Sequence, residues 1–175
     1  MKKFAISIVI LLGMSSFVYA KSTTESVGDV FAIAIPAGAY GTSLYLGDKD
    51  GQMQFYKSYG TTMGATYILK YTVREKRPDS DNRDSFPSGH TSSAFAGASF
   101  IHKHYGLKYA IFPYLAAIYT GYSRVYANRH YTRDVVAGAA IGVLSSWYFV
   151  TPYKNLQVTP IVDTDFKGIS FSYKW

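Results

Sequence analysis

Residues 87–106 read PSGHTSSAFAGASFIHKHYG, and the reading of this stretch decides the fold. Pro87 stands just before a helix start, and Gly106 stops the run after Tyr105, so the spacing predicts a helix from near Ser88 to about Tyr105. Working outward, Leu107 to about Tyr122 reads as the next helix. Val135 to Val150 is the last one, following an N-cap residue at Thr132 and ending before Pro152. Upstream, Phe55 to Val73 forms another helix. Before it, Val27 to Leu46 is an apolar stretch rich in Ala and Gly, closed by Gly47 and a charged turn at Asp48-Lys49-Asp50-Gly51. With the apolar N-terminal run these make a bundle of five to six helices, so the expected fold class is all-α.

Gly60-x-x-x-Gly64 and Gly138-x-x-x-Gly142 would let two of these helices approach their neighbours closely, as in membrane bundles. The mean hydropathy of −0.01 is low for a polytopic protein. A soluble bundle whose small residues fill tight crossings therefore stays open beside a membrane-embedded or membrane-hugging one. The tail differs in period. Val158 to Val162 and Ile169 to Trp175 flank Asp163-Thr164-Asp165, and in the second run Ile169, Phe171, Tyr173 and Trp175 alternate with polar residues. Two strands cannot close a barrel, so a small C-terminal β-hairpin packed on the bundle is expected.

The chain begins with Lys2 and Lys3, an apolar run from Phe4 to Met14 and a small-residue pattern at Val18-Tyr19-Ala20. That is an export signal, cleaved or retained as a first membrane helix, and either form places the following residues across the membrane. The organisation expected is a leader at 1–20, a helical domain at 21–157 and a β-like tail at 158–175. The 175 residues suit one domain, and 48% apolar types supply ample core. The absence of cysteine excludes disulfides, thiolate metal sites and cysteine nucleophiles. A formal charge of +7 suits phosphate-bearing partners. Nucleic acid is not the expected one, because apolar helices offer no polar face to a groove and export removes most such partners.

Three segments concentrate the informative polar residues: Lys70 with Arg77-Pro78, Pro87-Ser88-Gly89-His90, and Ser123-Arg124 with His130 and Asp134. Each lies at the end of a helix-sized segment, and the alternation of helix directions brings all three to one face, the extracytoplasmic one. A phosphoryl group in transfer needs fixed cations and oriented N–H donors. Lys70, Arg77 and Arg124 supply cations, and Ser88 and Gly89 stand where helix-start amides point outward. His130 and Asp134 are four apart, so the carboxylate can hold one ring nitrogen and leave the other to attack phosphorus. His90 is then available to protonate the leaving oxygen. Taken singly, each segment has a plainer explanation in helix capping, a surface contact or a membrane anchor.

Together these segments resemble the phosphatidic acid phosphatase type 2 family, which includes lipid phosphatases, bacterial non-specific acid phosphatases and vanadium haloperoxidases. The likeness covers Lys70 to Asp134 and continues into Val135-Val136-Ala137-Gly138. It implies phosphate binding by Lys70, Arg77, Ser88, Gly89 and Arg124, with His90 as acid, His130 as nucleophile and Asp134 as its orienting partner. No metal and no cofactor are implied. The implied activity is phosphomonoester hydrolysis of a lipid or lipid-linked phosphate through a phosphohistidine. The alternatives are a non-specific soluble periplasmic acid phosphatase, a vanadate-dependent haloperoxidase and a non-enzymatic binder of anionic membrane. Three departures touch substrate choice: the stretch between Pro78 and Pro87 is short, Thr132-Arg133 replaces a Pro-Ser pair, and Asn128 stands where glycine is common. His102 and His104, with Lys103 and Lys108, are expected to be positive residues on the opposite face.

Overall fold

The computed structural model describes residues 23–153 in full, together with the backbone of 156–162 and 167–173. Five helices carry the fold: α1 Thr23–Tyr45, α2 Lys49–Val73, α3 Gly89–Tyr105, α4 Leu107–Tyr126 and α5 Thr132–Phe149. The all-α class expected from the sequence is therefore that of the domain. The leader at 1–20 lies outside the described residues.

Helix α3 is the hub and packs against all four other helices. Its residues explain why. Thr91, Ser92, Ser93, Ala94, Ala96, Gly97, Ala98 and Ser99 are all small and all buried, so backbones can close in from every side. Gly138 and Gly142 of α5 meet the backbone of α3 at Ser88, Ser92 and Ala96, where an added Cβ would lie 2.6–2.7 Å from its oxygen or nitrogen atoms. Hydroxyls tie the crossings together. Ser93 Oγ donates to Ala32 O of α1 at 2.6 Å, and Ser146 Oγ donates to Ala96 O at 3.0 Å. An apolar cluster of Ala39, Phe55, Phe100 and Val150 lies at the end away from the loops at 74–88 and 127–131.

Several expectations are corrected. Gly60 and Gly64 have open space where a Cβ would stand, so that pair does not mark a crossing. Asp48-Lys49-Asp50-Gly51 is the start of α2 rather than a free turn. Asp48 is its N-cap and accepts from Gly51 N at 2.9 Å, which lengthens the helix six residues beyond Phe55. Thr132 is the first residue of α5, and Tyr131 takes the cap position. Residues 156–162 and 167–173 pair antiparallel, with Leu156 opposite Tyr173, but among the described residues neither run touches a helix. A hairpin packed on the bundle is therefore not supported, and the fold of the described residues rests on the five-helix domain.

The distribution of residue types is inverted relative to a water-soluble bundle. Ser, Thr, Ala and Gly fill the interior, while Ile33, Phe112, Leu115 and Leu144 are 60–72% exposed. Ile111, Phe112, Leu115 and Ile118 form an exposed stripe along α4. Among the described residues α1 is the one helix both long and apolar enough to cross a membrane.

Candidate active site

The ends of α2, α3, α4 and α5 that carry the three motif segments meet at one end of the bundle. Helix α3 is set there by Ser88, whose backbone N–H donates to Asp134 O at 2.9 Å, joining the start of α3 to the first turn of α5. This corrects one expectation: the Ser88 amide is already committed. The first-turn donors of α3 that remain begin with Gly89, where an added Cβ would stand 3.8 Å from Lys70 Cε, so the backbone is open to an anion beside that lysine. Lys70 Nζ donates to Asp84 O at 2.5 Å, and Arg77 grips the Asp84 carboxylate with Nε at 2.7 Å and Nη2 at 3.1 Å. That pairing holds the Asp84 carboxyl below its ordinary range.

The second half is built at the turn after α4. Arg124 is buried, and its carbonyl accepts from the N–H of Arg129 at 2.9 Å and of His130 at 3.3 Å. Asn128 takes φ 55°, the left-handed conformation that lets the chain double back here without glycine. His130 Nδ1 lies 3.6 Å from Asp134 Oδ2, too far for a hydrogen bond. Asp134 Oδ2 instead accepts from Ser85 Oγ at 2.6 Å and from Tyr131 N at 3.0 Å. Among the described residues, the buried side-chain atoms without a hydrogen-bond partner are His130 Nδ1 and Asp134 Oδ1. Burial, then the positive charges of Arg77 and Lys70, push the His130 imidazole down to about 4, so the free ring is neutral near pH 7. A neutral, buried imidazole with Nδ1 unpaired, beside the cations Arg77 and Lys70, can accept an electrophile.

Two carboxylates on α1 complete the arrangement, and the motif reading did not contain them. Asp29 Oδ1 accepts from Arg124 Nη1 at 2.6 Å and lies 3.1 Å from His90 Nε2. Buried Glu25 accepts from Arg129 Nε at 2.8 Å, and its backbone oxygen accepts from Arg124 Nη2 at 2.5 Å. Arg129 also reaches Asp79 of the α2–α3 loop at 2.7 Å. A faint signal existed, since Glu25 and Asp29 are the acidic residues of an otherwise apolar helix and stand one turn apart.

The predicted site residues Lys70, Arg77, Ser88, Gly89, His90, Arg124, His130 and Asp134 all stand at the same end of the bundle. Beside Lys70 opens a cavity of about 600 Å³ lined also by Tyr67, Tyr71, Arg74 and Arg83. Of the six arginines in the described residues, Arg74 and Arg83 make no ion pair, whereas Arg77, Arg124, Arg129 and Arg133 all do. The departure at Thr132-Arg133 puts a guanidinium on Glu75, tying the start of α5 to the end of α2.

Converging cations, a helix-start backbone and two imidazoles at the end of a helical bundle define an enzyme of phosphoester chemistry as a class. The chain belongs to the PAP2 superfamily, whose sequence pattern matches residues 52–157. It is 31% identical to the lipid A 4′-phosphatase of Helicobacter pylori strain J99 over 86% of this chain and 85% of that protein. It is 45% identical to the lipid A 1-phosphatase of Porphyromonas gingivalis, over 43% of this chain but only 18% of that longer relative. Among solved structures, Aquifex aeolicus LpxE superposes with a TM-score of 0.54 at 26% identity, covering 69% of this chain and 83% of the other. As a member of this family the chain falls in the phosphatase class.

Proposed function

We propose that this protein hydrolyses the phosphate monoester of a lipid or lipid-linked substrate at the extracytoplasmic side of the membrane. His130 attacks phosphorus, most directly through Nε2, since Nδ1 is turned to Asp134. Lys70, Arg77, Arg124 and the amide of Gly89 hold the equatorial oxygens, and His90 protonates the departing alkoxide. Water then hydrolyses the phosphohistidine, with His90 as base. Asp134 and Ser88 fix the geometry, the one by capping α5 and receiving the imidazolium charge, the other by binding α3 to α5.

The observation that carries this reading is the meeting of segments 60 residues apart in sequence around one neutral, buried imidazole. The lipid character of the substrate rests on the exposed apolar stripe of α4, on the lipid-directed names of the relatives and on the open cavity beside Lys70. Arg74 and Arg83 suit a negatively charged head group there. The assay is phosphate release from a panel of phosphatidate, phosphatidylglycerophosphate, isoprenyl diphosphate, a glycolipid phosphate and a small soluble ester, with chelator present and with or without detergent. The expected preference is for a lipid ester. Faster turnover of the soluble ester in every condition would reassign the substrate, and release of phosphate from none would remove the reading. Protease accessibility of the 74–88 loop in spheroplasts tests the sidedness.

A further inference from the structure

We propose that Asp29, on α1, is a positioning residue of the reaction: it holds the proton on His90 and fixes Arg124 for the same phosphate. The inference rests on the phosphatase reading above and adds to it an element that lies before the family pattern, which begins at residue 52.

One oxygen of Asp29 serves both partners, Arg124 Nη1 at 2.6 Å and His90 Nε2 at 3.1 Å. No other carboxylate is paired with either of them among the described residues. Helix α1 is held in place for this by Arg124 Nη2 on the backbone of Glu25, by Arg129 on the Glu25 side chain and by Ser93 Oγ on Ala32 O. The carboxylate therefore sits on a braced helix, not on a mobile loop. Gly28, its neighbour, lies so close to Ser123 and Arg124 that a Cβ there would stand 2.0 Å from Ser123 Oγ. The backbone of α1 is pressed against the end of α4 at the point where Asp29 acts.

The chemistry follows from the tautomer. With Nε2–H directed to Asp29, the proton given to the leaving group comes from Nδ1, and the ring that carries both protons is an imidazolium stabilised by the carboxylate. In the first step the bond from His130 Nε2 to phosphorus forms as the phosphorus–oxygen ester bond breaks. The Nδ1 proton of His90 passes to the leaving oxygen, giving a neutral alcohol and a neutral His90. In the second step the oxygen of water bonds to phosphorus as the phosphorus–Nε2 bond of His130 breaks, the water's proton returns to His90 Nδ1, and inorganic phosphate leaves. The titratable and charged groups at this end of the bundle are Glu25 and Asp29 of α1, Lys70 of α2, Arg77 of the α2–α3 loop, Arg124 of α4, Arg129 and His130 of the α4–α5 turn, and Asp134 of α5. Asp29 is the acid that touches His90.

The test is Asp29→Asn in the full chain, assayed on two esters: dodecyl phosphate, whose alkoxide needs a proton to depart, and 2,4-dinitrophenyl phosphate, whose phenolate does not. On dodecyl phosphate kcat is expected to fall at least about tenfold. Its alkaline limb is expected to move to lower pH, because the imidazolium has lost its stabilising carboxylate. On the dinitrophenyl ester, which needs Arg124 but no proton, the fall in kcat should be at least about threefold smaller than on dodecyl phosphate. Asp29→Glu should recover part of the loss on dodecyl phosphate, and it carries the same comparison should the Asn variant not fold. Equal losses on both esters with an unmoved pH limb would overturn the proposal in favour of simple packing. A gain in activity would overturn it by making Asp29 a competitor of the phosphate. Failure of the wild type on both esters would instead count against the phosphatase reading.

Discussion

Among the described residues two histidine–aspartate pairs are buried on both sides, one at each end of the bundle, and they differ in completion. At the end away from the site, His104 Nε2 meets Asp48 Oδ2 at 2.6 Å while Nδ1 meets Thr151 O at 2.6 Å. Tyr105 OH also donates to Asp48 Oδ2 at 3.2 Å, and Gly51 N supplies Oδ1. Every polar atom of that pair has a partner. At the site, His130 and Asp134 stand 3.6 Å apart, and each keeps one buried atom unsatisfied. Leaving a buried polar group unpaired costs about 1–3 kcal/mol, and the open pair is the one to which the proposed mechanism gives the chemistry. Residue types alone do not separate a structural dyad from a reactive one. The number of partners does.

That contrast can be broken first at its reactive end. His130→Ala is expected to lower kcat by at least about 10³-fold while shifting the unfolding midpoint less than His104→Ala does, because His130 Nδ1 has no hydrogen bond to lose. Retained turnover would remove the distinction. His104→Ala should do the converse. Removing one member of a buried pair typically costs about 3–5 kcal/mol, so urea unfolding should shift strongly, with kcat of the folded enzyme unchanged within about threefold. An unaltered unfolding midpoint would mean that the closed dyad is not structural.

A smaller effect is expected at Asp134→Asn. The side chain still accepts from Tyr131 N or Ser85 Oγ, but the charge that stabilises the imidazolium is gone, so kcat should fall about 10- to 100-fold. The finest test is titration. The His130 ring, followed by NMR in the free enzyme, should protonate near 4 rather than at the ordinary 6.5. The sign for stability follows directly. Between about 6.5 and 4 the unfolded chain takes up a proton that the folded chain refuses, so stability declines as pH falls through that window and levels off below it. Arg77→Ala should raise the midpoint, since Arg77 is the largest of the charges depressing it. A midpoint at 6.5 in both proteins would remove the electrostatic argument.

The same contrast shows what the sequence could and could not carry. His90, His130, Asp134, Lys70, Arg77 and Arg124 were legible because each stands at a helix end, and helix direction alternates along the chain. His104 was misread as a surface charge. Its partner Asp48 lies 56 residues away, inside what looked like a polar turn, and no local pattern announces a buried pair. Asp29 and Glu25 were missed for a similar reason. Their partners are 95 and 104 residues distant, and an acidic residue in an apolar helix reads equally well as a tolerated exposed charge. The α5 crossing at Gly138 and Gly142 was read correctly, while the identical spacing at Gly60 and Gly64 faces open space, since a small-residue pattern specifies the possibility of contact and not the neighbour.

The most direct measurement is a rapid quench of the full-length enzyme with a ³²P-labelled lipid phosphate. An acid-labile, base-stable label on a peptide containing His130, present in the wild type and absent in His130→Ala, is the expected result. Phosphate release by the wild type with no such label at any time point, or a label on another residue, would contradict the assignment of His130 as the nucleophile.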